Sequence, residues 1–292
     1  MSEPQKRGKT AQQEYEGRRD LRYHPLGVNE PTSLTRDQIE SFNRDGYLTG
    51  FTAFEGAAVE SNRRYFDSLL EIAHAAGLNS YDINGWQQTC RGVYDLCIHP
   101  TILGPISDLL GPNVICLGAY YFCKLPGDPR QVMWHQDAAY WPLSPSKAIS
   151  VWLAVDNVDR SNAALRVIPG THLIGELTTE LSEKDEGNLL SEKVPDAEDF
   201  GEPVYLELTA GQMSIHSDLL LHGSTANESD RRRCGVVIRY CTPDVRGIVS
   251  PFGWNEQSLW ARGEDPTAYW ANVPRPEGDS IPEWVLRTVD RG

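Results

Sequence analysis

His135 and Asp137, two residues apart in Trp134-His135-Gln136-Asp137, together with His222 far downstream in Leu221-His222-Gly223, constrain this chain more than any other feature. Two imidazoles and one carboxylate are the ligand set that holds Fe(II) on one face and leaves the opposite face open for oxygen and a co-substrate. A fold that uses them must bring two distant segments to one point. Where the first segment is extended, His135 and Asp137 project to the same side, because side chains on a strand alternate with period two. A lone His-x-Asp is common by chance. A distant histidine followed eleven residues later by an arginine, Arg233, makes the combination much rarer. His216, six residues before His222, is the rival for the third position.

Residues 1 to about 30 are polar and charged with almost no apolar periodicity, which predicts a mobile arm or a strap over the surface. Order then begins with Thr35 and Gln38 in a capping-box pattern, Ile39 and Phe42 facing inward, and Gly46 closing the helix before an extended Tyr47-Leu48-Thr49-Gly50-Phe51. Val59, Phe66, Leu69, Leu70 and Ala73 recur at helical spacing up to Gly77, and Pro100 to Leu110 forms a third helical pattern before Gly111-Pro112. From Val114 the texture changes to short β-like runs: 114–124, 148–155, 164–168, 204–208, 212–216 and 234–241. Helices collected before many short strands predict a sandwich or barrel with the helices packed against one face. Between Gly175 and Pro203 lies an acidic, loop-rich insertion, long enough to be functional or disordered. The tail after Val245 carries Trp254, Trp260, Trp270 and Trp284, too aromatic for a disordered linker, and is predicted to pack back on the core.

At 292 residues the chain suits one β-rich domain with helical decoration. A formal net charge of −14 argues against nucleic acid or an anionic membrane as the main partner, since both need basic patches, and a small-molecule substrate fits better. No stretch approaches the roughly 20 apolar residues of a membrane span, and Met1 to Asp20 has no apolar core resembling a signal peptide, so the expected location is cytoplasmic. The six cysteines include no Cys-x-x-Cys; each successive pair is seven residues apart, an odd offset that puts strand residues on opposite faces, and reduced buried thiols are expected. The oligomeric state leaves no trace in the sequence.

Four stretches are similar to the phytanoyl-CoA dioxygenase family of Fe(II)/2-oxoglutarate oxygenases: Leu34-Thr35-Arg36-Asp37-Gln38-Ile39 through Asp45-Gly46-Tyr47; Trp134-His135-Gln136-Asp137; Leu165-Arg166-Val167-Ile168-Pro169-Gly170-Thr171-His172; and Leu220-Leu221-His222-Gly223-Ser224. The resemblance runs from about Leu34 to about Tyr240. It implies a mainly β fold with helices (α+β), built on a double-stranded β-helix, or jelly roll, with N-terminal helices on one face. On that reading residues 1–30 are the arm, 31–245 the oxygenase domain with its insertion at 175–203, and 246–292 a segment packed on the core of a single domain. The family acts on lipids, amino acids, osmolytes and natural-product intermediates, so the resemblance alone leaves the substrate open.

The resemblance also implies a site: His135, Asp137 and His222 hold Fe(II), and His216, which lacks the following Gly-Ser, has no match in the family pattern. Arg233 falls at the family's spacing and shares strand parity with Val237. Its planar guanidinium can grip the distal carboxylate of 2-oxoglutarate through two charge-assisted hydrogen bonds, although from local sequence alone Arg231 or Arg232 could serve. Ser224 and Lys124 could add polar contacts to the co-substrate, Trp152 stands where relatives carry a tryptophan beside it, and Tyr140 and Trp141 are candidate walls of the substrate pocket. His172, in Pro-Gly-Thr-His, is a family feature expected to fasten a turn. Ala163 departs from the glycine usual in relatives, and the presence of Asp137 disfavours halogenation. The implied activity is a dioxygenase that consumes 2-oxoglutarate and O2 and hydroxylates a C–H bond, releasing succinate and CO2. The acidic surface disfavours a polyanion, and nothing resembles a carrier-protein docking patch, so the expected substrate is a small polar metabolite, such as an amino acid, a quaternary amine or a phosphonate. Two other readings are a metal-dependent jelly-roll enzyme that does not use 2-oxoglutarate and a non-catalytic jelly-roll binding module. An anionic substrate would need a further cation near the metal, and Arg130, Lys147, Arg239 and Arg246 are the candidates.

Overall fold

The computed structural model describes residues 10, 14, 17–183, 185–248 and 254–289. Most of the predicted arm up to residue 16 therefore lies outside the described residues, as does the side chain of Trp254. The first helix, Arg36–Asp45, begins on a complete capping box: Thr35 Oγ1 accepts from the Gln38 backbone N–H, and the Thr35 N–H donates to Gln38 Oε1. Gly46 ends it in the left-handed conformation, and Ile39 and Phe42 are buried. Helix Ala57–Ala75 buries Phe66, Leu69 and Ala73, and helix Pro100–Leu110 starts on Pro100 and stops at Gly111. A further helix, Arg91–Cys97, was not anticipated.

Fourteen strands follow one another along the described chain: β1 Tyr47–Thr52, β2 Val114–Lys124, β3 Val132–His135, β4 Leu143–Ser144, β5 Ala148–Ala154, β6 Leu165–Val167, β7 Glu180–Leu181, β8 Glu192–Lys193, β9 Val204–Leu206, β10 Gln212–Ser217, β11 His222–Ser224, β12 Arg233–Cys241, β13 Arg246–Gly247 and β14 Leu259–Arg262. The large sheet has the order β1-β10-β5-β12-β2-β14 and the small sheet β3-β11-β6-β9, and every pairing in both is antiparallel. This is the jelly-roll core. Strand β14, which closes one edge of the large sheet, had no counterpart in the predicted runs.

Alternation along the strands divides the large sheet into two chemically different faces. On β12, Cys234, Val236, Ile238 and Tyr240 point into a core shared with the helices through Phe42, Phe66, Leu69 and Ile106. The opposite face carries Arg233, Val237 and Arg239 and looks toward the small sheet. The six cysteines are free and buried, with Cys123 and Cys234 directly opposed across β2 and β12.

Peripheral segments tie down the mouth between the sheets. Arg19 donates to the carbonyls of Ala138, Ala139 and Trp141 and pairs with Glu176. The acidic segment 175–203 runs beside β3, with Gln131 N–H donating to Gly187 O, Leu189 N–H to Gln131 O and Val194 N–H to Trp134 O. In the C-terminal segment Trp270 is buried and accepts through its carbonyl from Trp260 Nε1, whereas Trp284 is exposed.

Candidate metal and co-substrate site

The register of the small sheet sets His222 on β11 directly opposite His135 on β3, with ring centroids 4.1 Å apart. Asp137 is not on the strand. The chain stays extended through Gln136 and then begins a helical turn, Asp137–Tyr140, so the two residues converge across a strand end and not along one strand face. Gln136 enforces that corner: fully buried, its Nε2 donates to Gly175 O and Leu219 O while its Oε1 accepts from Leu177 N–H. A ring nitrogen or carboxylate oxygen from each of His135, Asp137 and His222 lies within 4.8 Å of the others.

The tautomers fit a cation. His135 Nδ1 lies 2.9 Å from Met133 O and His222 Nδ1 2.8 Å from Leu220 O; a carbonyl only accepts, so both Nδ1 atoms carry the proton and both Nε2 lone pairs are available. Burial lowers the pKa of both imidazoles, which favours the neutral, ligating form. Burial opposes ionisation of Asp137, but Arg239, His216 and the two candidate ligand histidines outweigh it and hold the carboxyl well below its ordinary range. Ser150 Oγ donates to Asp137 Oδ2 at 2.7 Å and fixes the carboxylate plane. The donor set, its charge and its tautomers thus fit a divalent transition metal such as Fe(II).

His216 stands apart from the triad. It belongs to β10 of the large sheet, its Nε2 is 3.7 Å from Asp137 Oδ2, and neither ring nitrogen has a hydrogen-bond partner. A cavity of about 280 Å³ opens from these residues between the two sheets. His135, Asp137, Tyr140, Trp141, Trp152, His222, Ser224 and Arg233 line it, so eight of the anticipated site residues meet in one chamber.

Lys124 does not line the chamber but is paired in register with Arg233, and its Nζ donates to Thr225 O. Arg233 is buried with its guanidinium 4.9 Å from the centre of the Trp152 ring. Its Nε has no partner, and no acidic side chain among the described residues forms an ion pair with it. Its two rivals are committed elsewhere, Arg231 to Asp159 and Arg232 to Asp156 and Asp67. Burial lowers the Arg233 pKa to about 10 and, together with Arg233, lowers that of Lys124 to about 6. Such a pair asks for an anion.

Sequence reading missed Ser150, Gln136 and Gly235. A β-carbon on Gly235 would sit 2.1 Å from Trp152 Cζ2, so the glycine makes room for the indole beside Arg233. Ala163 adopts φ 72°, ψ 54°, a left-handed conformation that glycine takes more readily than alanine. His172 is buried with Nε2 3.1 Å from Asn43 O, which ties the turn after β6 to the first helix. Leu190, within the acidic segment, reaches the cavity wall, and Tyr140 Oη donates to Glu192 O. No helix among the described residues is long and apolar enough to cross a membrane.

The apo structure of the non-heme monooxygenase ThoJ superposes with a TM-score of 0.72 at 27% identity, covering 86% of this chain and 93% of that one. Bovine peroxisomal phytanoyl-CoA dioxygenase is 31% identical over 253 residues, 77% of this chain and 75% of the relative. The human peroxisomal enzyme is 29% identical over 167 residues, 55% of this chain and 49% of the relative. The chain spans about half the length of most of the curated relatives it matches. A family model for phytanoyl-CoA dioxygenase (PhyH) matches residues 42–235, from the first helix to the start of β12. By the extent of that match and by its likeness to the bovine enzyme, the chain belongs to the phytanoyl-CoA dioxygenase (PhyH) family.

Proposed function

We propose that the protein is an Fe(II)- and 2-oxoglutarate-dependent dioxygenase that hydroxylates a C–H bond of a small polar metabolite of the amino acid, quaternary amine or phosphonate type. The observation that carries this reading is the pairing, in one chamber, of the His135, Asp137 and His222 triad with the buried Arg233, which has no acidic side-chain partner among the described residues. His135 and His222 would present Nε2 to the ion, with their Nδ1–H groups held by main-chain carbonyls, and Asp137 would supply the carboxylate steadied by Ser150. When bound, Fe(II) chelated by 2-oxoglutarate supplies the activation of O2, with succinate and CO2 as by-products. Arg233, stacked on Trp152 and backed by Lys124, would hold the distal carboxylate, with Ser224 as a further hydroxyl in the chamber. Tyr140 and Trp141 would bound the substrate side and limit the entry of water.

An enzyme that bound no anionic co-substrate would leave the Arg233 charge buried on Trp152 with no ion-pair partner among the described residues, a costly arrangement. Six free, buried thiols suit a reducing compartment such as the cytoplasm. The test is anaerobic reconstitution with Fe(II) followed by 2-oxoglutarate titration, monitored by the visible charge-transfer absorption of the chelate. The expected result is a saturable band that is absent in His222→Ala and needs much higher 2-oxoglutarate in Arg233→Ala. Stoichiometric iron binding with no band would overturn the co-substrate assignment.

A further inference from the structure

The face of the large sheet that looks into the chamber carries a second cation. Register places Tyr47, His216, Ser150, Arg239 and Gly118 in one row across β1, β10, β5, β12 and β2. Ser150, in the middle, is hydrogen-bonded to Asp137, so Arg239 and His216 flank the candidate metal carboxylate from either side. Arg239 Nη2 is 3.6 Å from Asp137 Oδ1, close enough for attraction and too far for a hydrogen bond. Its Nε is buried and has no partner. The guanidinium lies over two rings, 4.3 Å from the centre of Tyr120 and 4.9 Å from that of Trp141, and such stacking holds it in place while leaving its edge free to donate.

The other candidate cations are occupied away from the chamber. Arg130 is bound to Asp128 and covers Tyr81, Lys147 pairs with Asp244, and Arg246 donates to main-chain carbonyls and covers Tyr269. Arg239 cannot be a second grip on the same co-substrate carboxylate as Arg233: the two lie six residues apart on β12, roughly 20 Å of strand. Between them the wall is apolar and aromatic, formed by Phe122, Val237, Tyr120 and Trp152. The distal carboxylate of the co-substrate therefore belongs at the Arg233 end, and the other end presents a second guanidinium beside the candidate metal ligands.

Resting on the function proposed above, we infer that Arg239 is the specificity-determining residue for the substrate, and that the substrate is a small carboxylic acid. Its carboxylate meets the Arg239 guanidinium, and its hydrocarbon body lies against Trp141, Tyr140 and Leu190. A cavity of about 280 Å³, at the lower end of ligand-pocket volumes, restricts the body to metabolite size. A quaternary amine without an acid group would set its cation against the guanidinium and is excluded by the same charge.

The inference is tested by calorimetric titration of the protein loaded with Zn(II), with and without 2-oxoglutarate, using matched acids and carboxamides: 3-phenylpropionate with 3-phenylpropionamide, and hexanoate with hexanamide. In at least one pair the acid should bind roughly tenfold or more tightly than its amide, the usual weight of a charge-assisted hydrogen bond. Arg239→Gln should erase the preference by weakening the acid alone, and Arg239→Lys, which keeps the charge, should retain part of it. A panel in which no acid outbinds its amide overturns the inference, as does a preference that survives Arg239→Gln. So does loss of 2-oxoglutarate binding in Arg239→Gln together with its retention in Arg233→Gln, because Arg239 would then be the co-substrate anchor. The titration without 2-oxoglutarate keeps the two readings separate: failure of 2-oxoglutarate to bind would sink the proposed function, while the acid preference is still read at Arg239.

Discussion

Lys124 and Arg233 face each other across β2 and β12 in an interior where no carboxylate among the described residues forms an ion pair with either. Desolvation disfavours both charges, and Lys124, the stronger acid of the two and so the easier to deprotonate, yields: burial, reinforced by Arg233, brings its pKa from 10.5 to about 6. The folded chain therefore binds fewer protons than the unfolded chain between about pH 6 and 10.5, and this group adds stability as pH rises through that window. A dianion entering beside Arg233 reverses the balance by making the ammonium form favourable again. Binding of 2-oxoglutarate at pH 7.5 should then take up roughly one proton. The binding enthalpy measured in buffers of different ionisation heat should vary accordingly, and the dependence should vanish in Lys124→Met. A buffer-independent enthalpy in the natural protein would place Lys124 outside the co-substrate's influence.

The strands turn single residues into a site, and a residue without a side chain shows how. Gly235 stands between Arg233 and Val237 on the chamber face of β12, and the Trp152 indole fills the space its side chain would occupy. Gly235→Ala should push Trp152 away from Arg233, weaken 2-oxoglutarate binding severalfold and cost about 1–3 kcal/mol of stability through overpacking. Titration and urea unfolding measure the two effects; unchanged co-substrate affinity would mean that Trp152 does not support the guanidinium. The same strand explains what was legible in advance. His135, Asp137, His222 and Arg233 carry local spacings, and the long strands read clearly because one face of each is apolar. Ser150, His216 and Arg239 converge only through cross-strand register, which no local window contains. Helix Arg91–Cys97 escaped notice for a related reason: its N-cap, Cys90, makes no side-chain cap bond, and the segment is held by distant partners, with Arg91 N–H donating to Gly278 O and Gly92 N–H to Tyr65 Oη. The alternation rule applies to His135 and Asp137 only where the segment is extended, and it says nothing of the buried Gln136 that turns the corner.

At the scale of the whole molecule, the two sheets are joined near the site by the short crossing from β10 to β11, and Asp218 sits on it. Its N–H donates to Ala148 O at the start of β5, its carbonyl accepts from Ala138 N–H in the turn that follows Asp137, and its carboxyl accepts from Ser146 Oγ. Arg19 grips the same turn from the N-terminal side, so both sheets, the turn and the strap meet around one buried acid. Burial pushes the Asp218 pKa up to about 7, and Asp137 adds to the rise, whereas Ser146 opposes it. The sign is the opposite of that for Lys124. Between the unfolded value, about 3.9, and about 7 the folded chain holds a proton that the unfolded chain has released, so this group's contribution to stability falls as pH rises and levels off above 7. Three pKa units correspond to about 4 kcal/mol as an upper bound. Other carboxylates and Lys124 bend the stability curve as well, so the informative quantity is the difference between the natural protein and Asp218→Asn, which keeps the shape and the acceptor for Ser146 without ionising. That difference should favour Asp218→Asn increasingly from pH 5 to pH 7 and stay constant to pH 8.5 in urea unfolding. Parallel curves across the range would show that Asp218 ionises as an ordinary carboxylate and that the crossing between the sheets carries no buried proton.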